Sequence, residues 1–237
     1  MTTLAKIALG PLLLAQARLA RRRAPVLPEA DGEREGRIAG TGVPLSLLIV
    51  GDSSAAGVGV ATQDRAFTGF LLRALRAQSD RAIHWRLAAK SGVNSEAALA
   101  LLDPLDGWRA EIAVVVLGVN DVIDQLPPHR VLIAREALAA RLRDRHGVRH
   151  TAFTPLPPMH EFPLLPHPLR AVVGRDAQRL NAALAAWARR RDDASLVPID
   201  GLRLGPESMA ADGFHPGEPV YRVCGEAVAR HIATRLL

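Results

Sequence analysis

Residues 45–57 read Leu45-Ser46-Leu47-Leu48-Ile49-Val50-Gly51-Asp52-Ser53-Ser54-Ala55-Ala56-Gly57. The apolar run Leu45–Val50 stops abruptly at Gly51-Asp52-Ser53. A short apolar run closed by a turn signal predicts a strand buried on both faces. Toward the C-terminus the pattern returns. Ile83–Ala88 predicts a shorter strand. Ile112–Leu117, with three consecutive valines ended by Gly118, predicts the clearest one. Val148–Thr154 and Leu196–Ile199 complete a set of five. Between them the apolar spacing becomes helical, over Arg65–Ser79, Glu96–Leu102 (capped by Ser95), Val131–Arg145, Leu169–Arg191 and Pro219–Leu237. This alternation predicts an α/β fold, a three-layer α/β/α flavodoxin-like sandwich with a five-stranded parallel sheet, plus an N-terminal helix. Ligands in such sheets sit at the carboxyl ends of the strands where strand order reverses, here between the first and third strands.

Toward the N-terminus, residues 24–44 read as linker, punctuated by Pro25, Pro28, Gly32, Gly36, Gly40, Gly42 and Pro44. The chain thus divides into residues 1–44, an amphipathic helix and linker, and residues 45–237, the main domain. Pro11–Arg23 predicts a helix with Pro11 at its first position. At about 20 Å it is too short to cross a bilayer. It mixes Leu12, Leu13, Leu14 and Leu19 with Arg18, Arg21, Arg22 and Arg23. Three readings stay open. The helix packs on the protein's own surface, or residues 11–23 dock on anionic lipid, or residues 1–17 form a secretory signal cut near Ala15-Gln16-Ala17. Four arginines just after the apolar run, with only Lys6 before it, oppose export. The expected location is cytoplasmic with membrane association open, and export is the alternative.

Composition sets bounds on function. The 237 residues are 49% hydrophobic and 23% charged, a globular balance with enough chain for a substantial core. The single cysteine, Cys224, excludes an internal disulfide framework and a multi-cysteine zinc site. The net charge of +6 comes almost wholly from arginine, since Lys6 and Lys90 are the only lysines. Aromatic residues are 4%, and no basic stretch interleaves with them, so nucleic acid is not an expected partner. Neither a metal nor a cofactor is expected. His160 and His167 lie in a proline-rich loop without accompanying carboxylates or cysteines, so they read as solvent-facing or pocket-lining. His231 reads as a surface residue and Cys224 as packed.

Four short segments carry candidate chemistry: Gly51-Asp52-Ser53 after the first strand, Ser91-Gly92-Val93-Asn94 after the second, Gly118-Val119-Asn120-Asp121 after the third, and Asp212-Gly213-Phe214-His215 near the C-terminus. Acyl transfer needs a nucleophile, a base, a group that orients the base, and donors aimed at the developing oxyanion. Ser53, at a strand-to-helix turn, suits the nucleophile. His215 suits the base, and Asp212 can fix its tautomer from the same tight turn. The N–H groups of Ser53 and Gly92 and the Asn120 amide suit the oxyanion. Each also has a plainer reading. Ser53 also reads as a plain helix cap or as part of a phosphate-cradling loop. Asn120-Asp121 reads as a turn or helix cap, and Asp52 and Asp121 read as structural.

The ordered set resembles the four signature blocks of the SGNH (GDSL) hydrolase family, over residues 45–237. Val50–Gly59 and the turn Leu156-Pro157-Pro158-Met159 are similar to its bacterial lysophospholipase- and arylesterase-like members. The resemblance implies metal-free hydrolysis of esters or thioesters through an acyl-enzyme, with Ser53, Asp212 and His215 catalytic and Ser53, Gly92 and Asn120 forming the oxyanion hole. Ser54 departs from the family pattern, which has Leu there. The chain lacks Gly-x-Ser-x-Gly, against an ordinary α/β-hydrolase elbow.

The expected partner is a small ester: an aryl, short- or medium-chain acyl ester, with lysophospholipids and thioesters open. The long loop 155–168 is expected to line the acyl pocket through Met159, Phe162 and Leu165. Two alternatives stand beside the enzyme: a non-catalytic anion- or nucleotide-binding module, and a peripheral membrane protein built around the Arg-rich helix.

Overall fold

The computed structural model describes residues 9–237. Six strands form one sheet: β1 (Glu35–Ile38), β2 (Gly42–Gly51), β3 (Arg81–Ala89), β4 (Ile112–Val116), β5 (His150–Phe153) and β6 (Ala194–Leu196), in the order β1-β3-β2-β4-β5-β6. The five strands β3-β2-β4-β5-β6 run parallel, and β1 joins the edge antiparallel to β3. The helices are α1 (Gly10–Arg23), α2 (Ser53–Ala56), α3 (Phe67–Gln78), α4 (Val119–Ile123), α5 (Pro128–His146), α6 (Leu169–Ala188) and α7 (Glu218–Arg235).

Side-chain alternation on β2 and β4 builds both faces of the sheet. Leu45, Leu47, Ile49, Ile112 and Val114 join the core under α3 and α7. Leu48, Val50, Ala113 and Val115 join the core under α5, which also holds Trp187 of α6. All of these are essentially inaccessible to solvent. A third apolar cluster, around Val122, Leu156, Met159, Phe162 and Leu180, lies beneath the loops at the carboxyl rim. Strand order reverses beside β2, where Gly51 pairs in register with Val116 of β4.

The linker reading of residues 24–44 is corrected in part. Glu35–Ile38 pairs with Ile83–Arg86, and β2 begins at Gly42. A four-residue edge strand with alternating half-buried and exposed residues carries no apolar run to reveal it. The sheet therefore has six strands where five were expected. The last strand lies at Ala194–Leu196, slightly before the expected Leu196–Ile199. His231 is half-buried, with Nε2 2.8 Å from Ser195 Oγ, so it is not a free surface residue.

Helix α1 buries only Ala20, and the Gln16 side chain fastens it to the chain before α6 by bonds to His167 O and Leu169 N–H. Among the described residues no helix is long and apolar enough to cross a membrane. The signal reading of residues 1–17 falls partly on residues 1–8, which lie outside the described residues.

Candidate active site

The turn after β2 fixes Ser53. Gly51 has no room for a side chain: a Cβ there would lie 2.5 Å from Val116 O and 2.4 Å from the Ala55 methyl. The carboxylate of Asp52 accepts the Ser54 N–H at 2.9 Å and caps α2. Ser53 then opens α2 and is nearly buried, 9% exposed. Since α2 is a single turn, it offers individual N–H groups rather than a full helix dipole.

The loop after residue 209 brings the imidazole. His215 Nε2 lies 3.1 Å from Ser53 Oγ, and Nδ1 lies 2.5 Å from Asp212 Oδ2. The other Asp212 oxygen accepts the N–H groups of Phe214 and His215, each at 2.9 Å. A carboxylate can only accept, so the ring proton sits on Nδ1 and Nε2 is free to accept from the Ser53 hydroxyl. Burial alone would raise the Asp212 carboxyl. The hydrogen bonds from the His215 ring and from the His215 and Phe214 N–H groups outweigh it and hold the group below its usual range. Asp212 therefore stays charged beside the imidazole.

Gly92 lies in the turn after β3, and Asn120 lies in the first turn of α4, which follows β4. The left-handed backbone of Gly92 (φ +82°) is what calls for glycine, because a Cβ there would meet nothing within 4 Å. Crowding by the protein's own atoms is not the reason. Asn120 Nδ2 donates to Val93 O at 2.9 Å and ties the two turns together. That amide still carries a second N–H.

Two supporting residues, Arg135 and Glu29, lie outside the four segments. Asp121 accepts both the N–H and the hydroxyl of Ser95, at 2.7 and 2.5 Å, and faces Arg135 of α5. Arg135 is buried and also acts on Asp52. Its signal in the sequence was a charge within the apolar stripe Val131, Arg135, Leu138, Leu142. Glu29, in the supposed linker, accepts the Ser91 N–H and hydroxyl at 2.7 and 2.8 Å. A lone Glu after Pro28 gave no signal.

Beside Ser53 and His215 runs a groove walled by Val119, Pro157, Phe162, Leu204, Met209 and Val220. Its cavity volume is about 20 Å³. Of the three residues expected to line it, only Phe162 does, packing edge-on to Phe214 at 5.2 Å between ring centroids. Met159 and Leu165 are buried in the cluster behind the wall and touch it from the core side. A proline-rich loop with many apolar side chains cannot be divided by sequence into lining and backing. His160 and His167 are exposed. Among the described residues no three His, Cys, Asp or Glu side chains are grouped as metal ligands.

Residues 49–223 match the GDSL-like lipase/acylhydrolase family, and the chain belongs to it. A GDSL-like esterase of Mycobacterium tuberculosis is 27% identical over 236 residues, covering 91% of this chain and 74% of that protein. The crystal structure of TesA superposes with a TM-score of 0.61 at 25% identity, covering 81% of this chain and 99% of the other. The psychrotrophic esterase EstA from Pseudoalteromonas sp., solved inhibited by monoethylphosphonate, gives 0.59 at 21% identity, with 79% and 96% coverage. The chain is a carboxylic ester hydrolase of the SGNH type, which sets aside the non-catalytic anion-binding reading.

Proposed function

We propose that this hydrolase cleaves small carboxylic esters through an acyl-enzyme on Ser53. The 3.1 Å contact between Ser53 Oγ and His215 Nε2, with Asp212 behind the ring, is the observation that carries the proposal. Ser53 Oγ attacks the ester carbonyl as His215 Nε2 takes its proton. The carbonyl oxygen becomes an oxyanion, met by the N–H groups of Ser53 and Gly92 and the free N–H of the Asn120 amide. His215 passes the proton to the departing alkoxide, and the carbonyl re-forms as the acyl-enzyme. Water then repeats the cycle: His215 takes its proton and returns it to Ser53 Oγ as the acid leaves. The apolar walls Phe162 and Leu204 close to Ser53 support a short acyl group.

A serine-directed alkyl phosphonate tests the nucleophile. Mass spectrometry should find one adduct on Ser53 in the wild type and none in Ser53→Ala. An adduct elsewhere with undiminished hydrolysis by Ser53→Ala would overturn the mechanism. Asn120→Ala should lose about 10²–10³ in turnover while remaining folded.

For the setting of the enzyme, we infer a cytoplasmic location with peripheral contact to anionic lipid through α1. Leu12, Leu14 and Leu19 are 46%, 60% and 45% exposed beside Arg18, Arg21, Arg22 and Arg23, a composition that supports an interfacial helix. Each arginine near an anionic surface contributes about 1 kcal/mol. Sedimentation with phosphatidylglycerol vesicles should carry the protein down at low salt, and replacing the four arginines by Gln should abolish this. Equal sedimentation with neutral phosphatidylcholine would refute it.

A further inference from the structure

Residues 29–38 lie outside the matched family segment and yet reach the active-site rim. The strap they form is fastened independently at both ends. At one end Ala30 N–H donates to Ala56 O, and Gln63 Nε2 donates to both Ala30 O and Ala56 O, at 3.1 and 2.9 Å. At the other end the Leu87 N–H donates to Arg34 O, after which β1 begins. Arg34 Nη1 donates to Ala89 O at 2.8 Å, and Nη2 pairs with Glu29 Oε2 at 2.5 Å. The second Glu29 oxygen is thereby turned toward the turn after β3, where it accepts the N–H and hydroxyl of Ser91.

The exposed turn Lys90-Ser91-Gly92 needs this restraint. Its far end is anchored deep, through Ser95 on buried Asp121. Its near end has the bond from Lys90 N–H to Gly51 O, at 3.2 Å, and then the Glu29 carboxylate. Two charge-assisted bonds converging on one oxygen hold Ser91 in place, and Gly92 follows it directly in the chain. We infer that Glu29 is a positioning residue of the reaction, which sets the Gly92 N–H toward the oxyanion by clamping Ser91, with Arg34 orienting the clamp.

This inference rests on the Ser53 acyl-enzyme reading and deepens it. Outright loss of an oxyanion donor costs about 10²–10³ in turnover, so loosening one should cost at least about tenfold. Because the strap has its own fastenings, removing the carboxylate should leave it in place.

The experiment compares Glu29→Ala and Glu29→Gln with the wild type on a soluble acetyl ester, measuring kcat, KM, thermal midpoint and the rate of phosphonate labelling. For Glu29→Ala, kcat and the labelling rate should fall together by about tenfold or more, with KM and the midpoint nearly unchanged. Glu29→Gln keeps one acceptor oxygen and should fall less. The inference is overturned if kcat of Glu29→Ala stays within about twofold of wild type, if its loss is matched by an equal unfolded fraction, or if Glu29→Gln falls as far. Failure of the underlying reading looks different: the wild type itself would not be labelled at Ser53.

Discussion

Arg135 and Asp121 face each other at 3.6 Å in the interior, with side chains 1% and 0% exposed. The pairing is electrostatic, since neither Arg135 Nε nor Nη2 has a hydrogen-bond partner among the described residues. Burial lowers the Arg135 pKa, while Asp121 and Asp52 pull it back up. One buried cation thus serves two buried carboxylates, one under each rim turn of the site.

Removing that cation should be costly. Arg135→Met leaves Asp121 and Asp52 without a countercharge, and breaking a buried pair this way costs about 3–5 kcal/mol. Urea unfolding should show that loss, and adding Asp121→Asn to Arg135→Met should recover part of it. A variant within about 1 kcal/mol of wild type would mean that Arg135 acts through packing, as in its stacking 5.5 Å over Phe153, rather than charge.

Asp52 gives a pH signature of its own. Burial, reinforced by Asp121, pushes its carboxyl from 3.8 up to about 6, against the Ser54 N–H, Arg135 and His215. The native state therefore holds the proton more tightly than the unfolded chain. Asp52 destabilises little near pH 3.8; its cost grows as pH rises and is complete above about pH 6, at up to about 3 kcal/mol. Asp52→Asn keeps an acceptor for Ser54 and should gain on the wild type by that order between pH 4 and pH 7. Parallel stability–pH curves for the two proteins would contradict this.

The groove wall separates substrate effects from folding effects. Phe162→Ala should widen the groove and shift the preference from acetyl toward longer acyl esters. Met159→Ala and Leu165→Ala, which hollow the core behind it, should each cost about 2–5 kcal/mol of stability. A chain-length series together with thermal melts checks both. A uniform loss across chain lengths for Phe162→Ala would remove it from acyl selection.

Cys224 should be inert. It packs against the cores on both sides of α7, and burial pushes its thiol up to about 12. At pH 8 the thiolate is scarce, so iodoacetamide should label the native protein at least about 10²-fold more slowly than the urea-unfolded chain. Comparable rates in the two states would show that the thiol is reachable.

The parts legible in the sequence were those with a local signature. The apolar runs of β2 and β4 mark central strands because both faces are buried, and Asp212 and His215 announce their turn at a separation of three. Glu35–Ile38 escaped because an edge strand buries too little to need an apolar pattern. Glu29 and Arg135 act on turns far along the chain, so only the folded sheet brings them there. Phe162 and Met159 are alike in sequence and differ only in which side of one wall they occupy.

The antiparallel strand at the sheet's outer margin has a practical consequence. A chain begun at residue 45, where the apolar run starts, would strip β1 from β3 and leave a row of unpaired amides and carbonyls facing solvent. Such a truncated protein would recruit its own copies side by side. The short polar ribbon Glu35–Ile38 thus covers the β3 edge as well as being a piece of the fold.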